Sequence, residues 1–153
     1  FAKNVVKRCV RTKLRSCDLA IPTLVIGSNV PEAAKNISSA QVGLSNFLLT
    51  YAKNKPDTGP KRTWYRGKGE CRNVTVGYQS DEFPFYKTYE GGEENYPHRV
   101  RLSPIPQLEN WIVGGSFGGL VSGSGFKKKP ASSSKFLVLV IPEVDYTFPV
   151  PIK

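Results

Sequence analysis

The chain has 153 residues and a mass of 16.9 kDa, a size that suits one domain, 1–153, with a buried core. It carries 22 Lys and Arg against 12 Asp and Glu, a net charge of +10, and its single histidine, His98, excludes any mechanism built on a histidine pair. Hydrophobic residues make up 39%, too many for a disordered chain, and no apolar run approaches the roughly 18 residues of a membrane span.

Residues 1–20 are basic and hold Cys9 and Cys17. They read as an arm or a short hairpin rather than as core. The chain begins at Phe1 and contains no methionine, which reads as a processed or excised piece whose signal peptide has gone. Residues 23–26, Thr-Leu-Val-Ile, read as a short buried strand ending at Gly27. Pro31 then stands where a helix can begin, because a first-turn proline gives up no needed N–H. From there Ala33, Ile37, Ala40, Leu44, Phe47, Leu48 and Tyr51 recur at spacings of three and four. That pattern predicts an amphipathic helix of about 20 residues, with Lys53 and Lys55 near its C-terminus and Pro56, Gly59 and Pro60 ending it.

Residues 61–72 form a basic, glycine-spaced stretch that includes Trp64, Tyr65 and Cys71. Residues 73–76 alternate as a strand does, and so do residues 99–102, after which two prolines in 103–107 break the pattern. Residues 110–125 contain Gly114, Gly115, Gly118, Gly119, Gly123 and Gly125. No Gly-Lys-Ser/Thr follows, so this is not a phosphate-binding Walker loop; it suits a flexible surface loop or close approach of backbone to a phosphate. Residues 136–141 are an apolar run that reads as a buried strand, and the tail from Asp145 is extended around Pro149 and Pro151. The class is α+β, a small and mostly antiparallel sheet packed on a long helix.

Charge is unevenly spread. The balance is +9 over residues 1–70, −2 over 71–126 and +3 over 127–153. An acidic middle between basic flanks suits a cation site inside a surface that attracts a polyanion; a merely soluble basic protein has the same composition. Lys61, Arg62, Arg66 and Lys68, with Lys127, Lys128 and Lys129, are natural phosphate neighbours, and Tyr65 suits stacking on an unpaired base or on an arginine plane. Trp64 reads either as a second stacking residue or as core. Such contacts position a backbone without reading sequence. Three cysteines allow at most one internal disulfide, and a Cys9–Cys17 pair would close a short loop. The sequons at Asn36 and Asn73, together with the missing methionine, lean toward a secreted protein.

The segment 80–92, Ser-Asp-Glu-Phe-Pro-Phe-Tyr-Lys-Thr-Tyr-Glu-Gly-Gly, gathers acids among aromatics. On a strand Asp81 and Glu82 point to opposite faces, so they do not form a dyad. Aromatic neighbours that exclude water would raise the Asp81 pKa toward that of a useful general base. The competing reading is a strand with two solvated acids and an aromatic core. His98 reads as a partly exposed strand residue, with a phosphate contact as the alternative.

Asp81-Glu82-Phe83-Pro84, followed by Glu90-Gly91-Gly92, resembles the Asp-Glu-aromatic-Pro and Glu-Gly-Gly signature of the NucA/NucB deoxyribonucleases. Downstream, the valine-containing strand at 99–102, then Asn110, a glycine-rich helix region and a final apolar strand follow in the same order. The resemblance covers 70–141. It is similar to a small His-Me finger nuclease in which Asp replaces the histidine base, and it implies a ββα-metal core. In that reading Asp81 activates a water, and Asn110 holds a divalent cation from the start of the helix. Glu90 or Glu82 is a second ligand or orients the site, and Arg99 and Arg101 join the phosphate contacts. Oxygen ligands point to Mg²⁺ or Mn²⁺. The function implied is a secreted, monomeric, metal-dependent and largely non-specific DNA endonuclease. The alternatives are a ribonuclease or toxin domain with the same acidic centre, and a non-enzymatic cationic module that binds polyanions.

Overall fold

A computed structural model describes residues 2–11, 21–44 and 47–152. In chain order these form α1 (Ala2–Arg11), β1 (Thr23–Ile26), α2 (Pro31–Leu44), β2 (Leu48–Thr50), β3 (Tyr78–Phe83), β4 (Arg101–Pro106), α3 (Gln107–Ser124), β5 (Lys135–Val140) and β6 (Phe148–Val150). The fold mixes helices with two small sheets. One sheet has the order β2-β5-β1-β6, and the other is the β3-β4 pair. β1 and β5 run parallel with Leu24 opposite Val138, while β6 and β2 pair antiparallel on the outer sides.

β1 is buried throughout because both of its faces are covered. Leu24 and Ile26 face α2 and α3 with Phe136, Val138 and Val140 of β5. Val25 and Leu139 face the other way, onto Val6 of α1. Residues 2–11 are therefore a helix that closes the far side of the sheet, with Val6 fully buried and Lys7 paired to Glu143 at 2.8 Å, rather than an arm outside the core. Cys17 lies outside the described residues, as does the side chain of Cys9, so a bridge between them does too. Cys71 is a buried free thiol.

The helix opened by Pro31 stops at Leu44, and residues 48–50 are a strand. Leu49 and Tyr51 are buried while Leu48 is exposed, so the spacing of three and four ran into a spacing of two. Gly43, with open space around it, weakens the helix just before the change. Lys53 and Lys55 consequently cap no helix. Lys55 instead donates to the carbonyls of Thr88 and Gly91 at 2.7 and 2.9 Å.

No strand forms over 73–76: Tyr78 N–H closes a turn onto Thr75, and Val76 is fully exposed. β4 begins at Arg101 and continues through Pro104 and Pro106, where the prolines were expected to break it. It pairs only with β3, and the two prolines, two residues apart, can both turn their nitrogens to the unpaired edge.

The long helix of the fold is α3, inside the glycine-rich stretch. Val113, Leu120 and Val121 are buried and Phe117 is half-buried beside them, and packing of that stripe outweighs the poor propensity of its glycines. Gly125 ends it in the left-handed conformation at φ +66. The glycines divide into two kinds. A Cβ at Gly123 would lie 2.7 Å from Pro151, whereas one at Gly118 would meet nothing within 4 Å. Gly118→Ala is therefore expected to stabilise the protein by about 1 kcal/mol, and Gly123→Ala to destabilise it, in thermal or denaturant unfolding. No helix among the described residues is long and apolar enough to cross a membrane.

Candidate active site

β3 has β4 on one side, and its other edge carries no described strand. A cavity of about 210 Å³ lies along that open edge. Arg62 and Tyr65 form one wall, Asn110, Val113 and Phe117 of α3 form the other, and the consecutive residues Ser80, Asp81 and Glu82 line it between them. Neighbouring strand residues point to opposite faces, but a cavity at the strand edge reaches both faces.

Asp81 is 5% exposed. Asn36 of α2 donates from Nδ2 to Asp81 Oδ2 at 2.8 Å, and Arg101 Nε donates to Asn36 Oδ1 at 3.1 Å. Burial pushes the Asp81 carboxyl up to about 7, the negative charges of Glu82 and Glu109 add to the rise, and the Asn36 hydrogen bond opposes it. Of the two readings open for this segment, a solvated acid and an acid from which water is excluded, the geometry matches the second.

Glu82 is also buried, and burial raises its pKa to about 7 against the pull of the Arg62 guanidinium. Arg62 Nη1 lies 2.8 Å from Glu82 Oε1 and its guanidinium stacks on the Tyr86 ring at 4.9 Å. Glu82 Oε2 and Trp64 Nε1 each lack a partner at hydrogen-bonding geometry. The indole N–H nevertheless favours the ionised carboxyl and so opposes the rise. Trp64 is 5% exposed and belongs to the core with Tyr86, Val100 and Leu102, so it offers no stacking face.

Asn110 sits in the first turn of α3, and its Nδ2 donates to Gln79 Oε1 at 2.8 Å. That bond leaves the amide oxygen as the remaining acceptor at the cavity wall. Glu90 is not among the residues lining the cavity. Its Oε2 accepts the Thr50 N–H at 3.0 Å, which ties the 84–92 loop to β2. The Glu-Gly-Gly segment is architectural in this fold: a Cβ on Gly91 would lie 2.1 Å from the Phe85 carbonyl oxygen. Gly91→Ala should therefore cost about 3 kcal/mol or more of stability and move the backbone that follows Phe83, which a denaturant melt reads directly.

The chain matches no protein-family model and no curated sequence.

Two residues of the site carry no signal in the local sequence. Asn36 lies 45 positions before Asp81 and reaches it only because α2 packs over the β3-β4 pair. Glu109 accepts the N–H groups of Glu32 and Ala33 at 2.8 and 3.1 Å, capping α2 from α3. It thereby holds the two helices that flank Asp81 together. Its only mark in the sequence is its place beside Asn110.

The expected phosphate contacts separate in space. Arg62 and Arg66 line a second, more open cleft of about 660 Å³ that shares Tyr65, Ser80 and Asn110 with the first. Lys61 lines a third, on the far side of Tyr86. Arg101 reaches the site through Asn36, while Arg99 and His98 are exposed and line none of these clefts. Lys127 and Lys128 are exposed just past the end of α3. Of the six acids of the middle segment three are in ion pairs, Glu82 with Arg62, Glu93 with Lys68 and Glu94 with Lys55.

Among the described residues no group of three or more His, Cys, Asp or Glu side chains is gathered for a metal. The donors at the cavity are all oxygens: the Asn110 amide, with the charges of Asp81 and Glu82 beside it. That set suits Mg²⁺ or Mn²⁺, which keep waters and complete their shell with a substrate phosphate, and does not suit Zn²⁺.

Proposed function

We propose that this chain is a metal-dependent endonuclease that hydrolyses DNA phosphodiester bonds with little sequence preference, and that Asp81 is its general base. The observation that carries the reading is Asp81 itself. It is a buried carboxyl that lines a cavity, has a pKa of about 7, and sits beside a cleft lined by arginines. The order β3, β4, α3, with Asp81 on the first strand and Asn110 in the first turn of the helix, supports the resemblance to the NucA/NucB deoxyribonucleases.

In this mechanism Asn36 holds Oδ2, which leaves Oδ1 to accept the proton of an attacking water. Arg101 fixes the Asn36 amide so that its NH₂ faces Asp81. Asn110 would hold the cation, whose chemistry is to polarise the scissile phosphate and stabilise the leaving oxygen. Asn110 is a single neutral donor and would hold a cation weakly without help from the substrate phosphate. The arginines of the adjoining cleft position the backbone and read no bases.

Secretion belongs to the same proposal, though with one sequon fewer to support it. Asn36 is 3% exposed and hydrogen-bonded on both sides, so in the folded protein only Asn73 is open to a glycan.

A plasmid-nicking assay tests the function. Supercoiled DNA should relax and then linearise with Mg²⁺ or Mn²⁺ and stay intact with EDTA. Undiminished cleavage in EDTA would remove the metal from the mechanism. Absence of cleavage of both the plasmid and single-stranded DNA under every condition would remove the nuclease.

A further inference from the structure

The 660 Å³ cleft beside the Asp81 cavity has a composition that the hydrolytic step does not use. Arg66 and Arg72 line it, both are exposed, and neither makes an ion pair or side-chain hydrogen bond with a described residue. Arg62, between the two cavities, is by contrast committed to Glu82. Tyr65 and Tyr78 line the same cleft, with Tyr78 40% exposed. Tyr65 is held edge-on against the buried Trp64, at 6.4 Å between centroids, so its ring direction is fixed by the core.

From this we infer that the cleft is a strand-binding subsite and that the substrate enters it unpaired, as a single-stranded polynucleotide. The inference rests on the nuclease reading and deepens it by naming the form of the substrate. Two free guanidiniums account for backbone phosphates, but phosphates alone do not distinguish a duplex from a single strand. The tyrosines do. In a duplex the base faces are covered by their stacking neighbours, so aromatic side chains gain nothing from it; on a single strand each exposed base can stack on a ring. The position of Asp81 agrees. It is 5% exposed and lines a cavity of about 210 Å³, which a flexible strand can enter more readily than a stiff cylinder.

Binding is measured with the Asp81→Asn protein in EDTA, so that nothing is cleaved. Fluorescence anisotropy reads its affinity for labelled oligothymidylate, for oligouridylate of the same length and for a duplex of the same length. A single strand should bind at least about tenfold more tightly than the duplex. Tyr78→Ala should weaken single-strand binding about tenfold and leave duplex binding unchanged, as loss of one stacked base predicts. The Arg66→Ala/Arg72→Ala protein should weaken all three, and its salt slope on the single strand should be shallower by about 1.4, the value for two phosphate contacts. A thermal melt of each variant confirms that it folds. Tighter oligothymidylate or tighter oligouridylate assigns the sugar, and either supports the inference. Equal or tighter duplex binding overturns it, and so does a Tyr78→Ala protein with wild-type affinity for single strands. Failure of the nuclease reading appears elsewhere, as plasmid and single-stranded DNA both left intact by the unmodified protein with Mg²⁺ or Mn²⁺, so the two failures are distinguishable.

Discussion

Asp81→Asn is expected to lower the rate of DNA cleavage about 10³-fold, the usual contribution of a positioned general base. The amide keeps the size of the side chain and can still accept the Asn36 hydrogen bond, so the fold and the adjoining cleft stay in place. What it loses is the oxygen that takes a proton. In the unmodified protein that oxygen is active only when ionised. Because burial raises the carboxyl to about 7, the rate should rise about tenfold per pH unit below 7 and level off above it. A solvated aspartate would have finished titrating near pH 5, and the rate would already be flat there. Asn36→Ala is the companion case. It frees Oδ2 and removes the side-chain hydrogen bond that lowers the Asp81 pKa, so the rate profile should move to higher pH.

The same replacement has a second large consequence, which needs no substrate. Asp81 and Glu82 both have folded-state pKa values raised to about 7 from 3.8 and 4.5, and burial is the first cause for each. Between about pH 4 and 7 the folded protein therefore holds protons that the unfolded chain has released, so stability falls as pH rises through that window and is level above it. A carboxyl that folding makes tenfold harder to ionise costs about 1.4 kcal/mol once the pH is high enough to ionise it. At pH 8 Asp81→Asn removes one buried charge and should stabilise the protein by about 2–4 kcal/mol, while at pH 4 it should change little. Denaturant melts at the two pH values check this. A protein that grows more stable from pH 5 to 8, or an Asp81→Asn variant destabilised equally at both, would contradict the buried-acid description. The opposing directions, slower chemistry and a steadier fold, are what a destabilised active-site carboxyl produces.

How much of this could be read from residues alone varies along the chain for physical reasons. β1 and β5 were legible because a strand buried on both faces is a short apolar run with breakers at its ends, as Gly27 and Pro142 are here. The start of α2 was legible from Pro31, but its end was not, since Leu49 and Tyr51 satisfy a spacing of two as well as Leu44 and Leu48 satisfy one of four. α3 is hidden by composition. Its glycines argue against a helix one by one, and only the stripe Val113, Phe117, Leu120 and Val121, packed against β5, Phe85 and Phe126, explains why it forms. β4 is hidden by Pro104 and Pro106, which an edge strand tolerates and a central one does not. Of the candidate site, Asp81, Glu82 and Asn110 were visible and the fold brings them to one cavity; Glu90 was visible too, but the fold uses it to hold β2. Asn36 and Glu109 were invisible because their partners lie 45 and 77 positions away, and only the packing of α2 between β3 and α3 creates those contacts.

Single-turnover cleavage of plasmid and of single-stranded DNA with saturating Mg²⁺, measured from pH 5.5 to 8.5 for the unmodified protein and for Asp81→Asn side by side, tests the assignment of Asp81 most directly. The expected result is a rate that climbs about tenfold per pH unit to a bend near 7 in the first protein and is about 10³-fold lower at the plateau in the second. Equal rates in the two proteins, or a profile with no bend between pH 5.5 and 8.5, would contradict it.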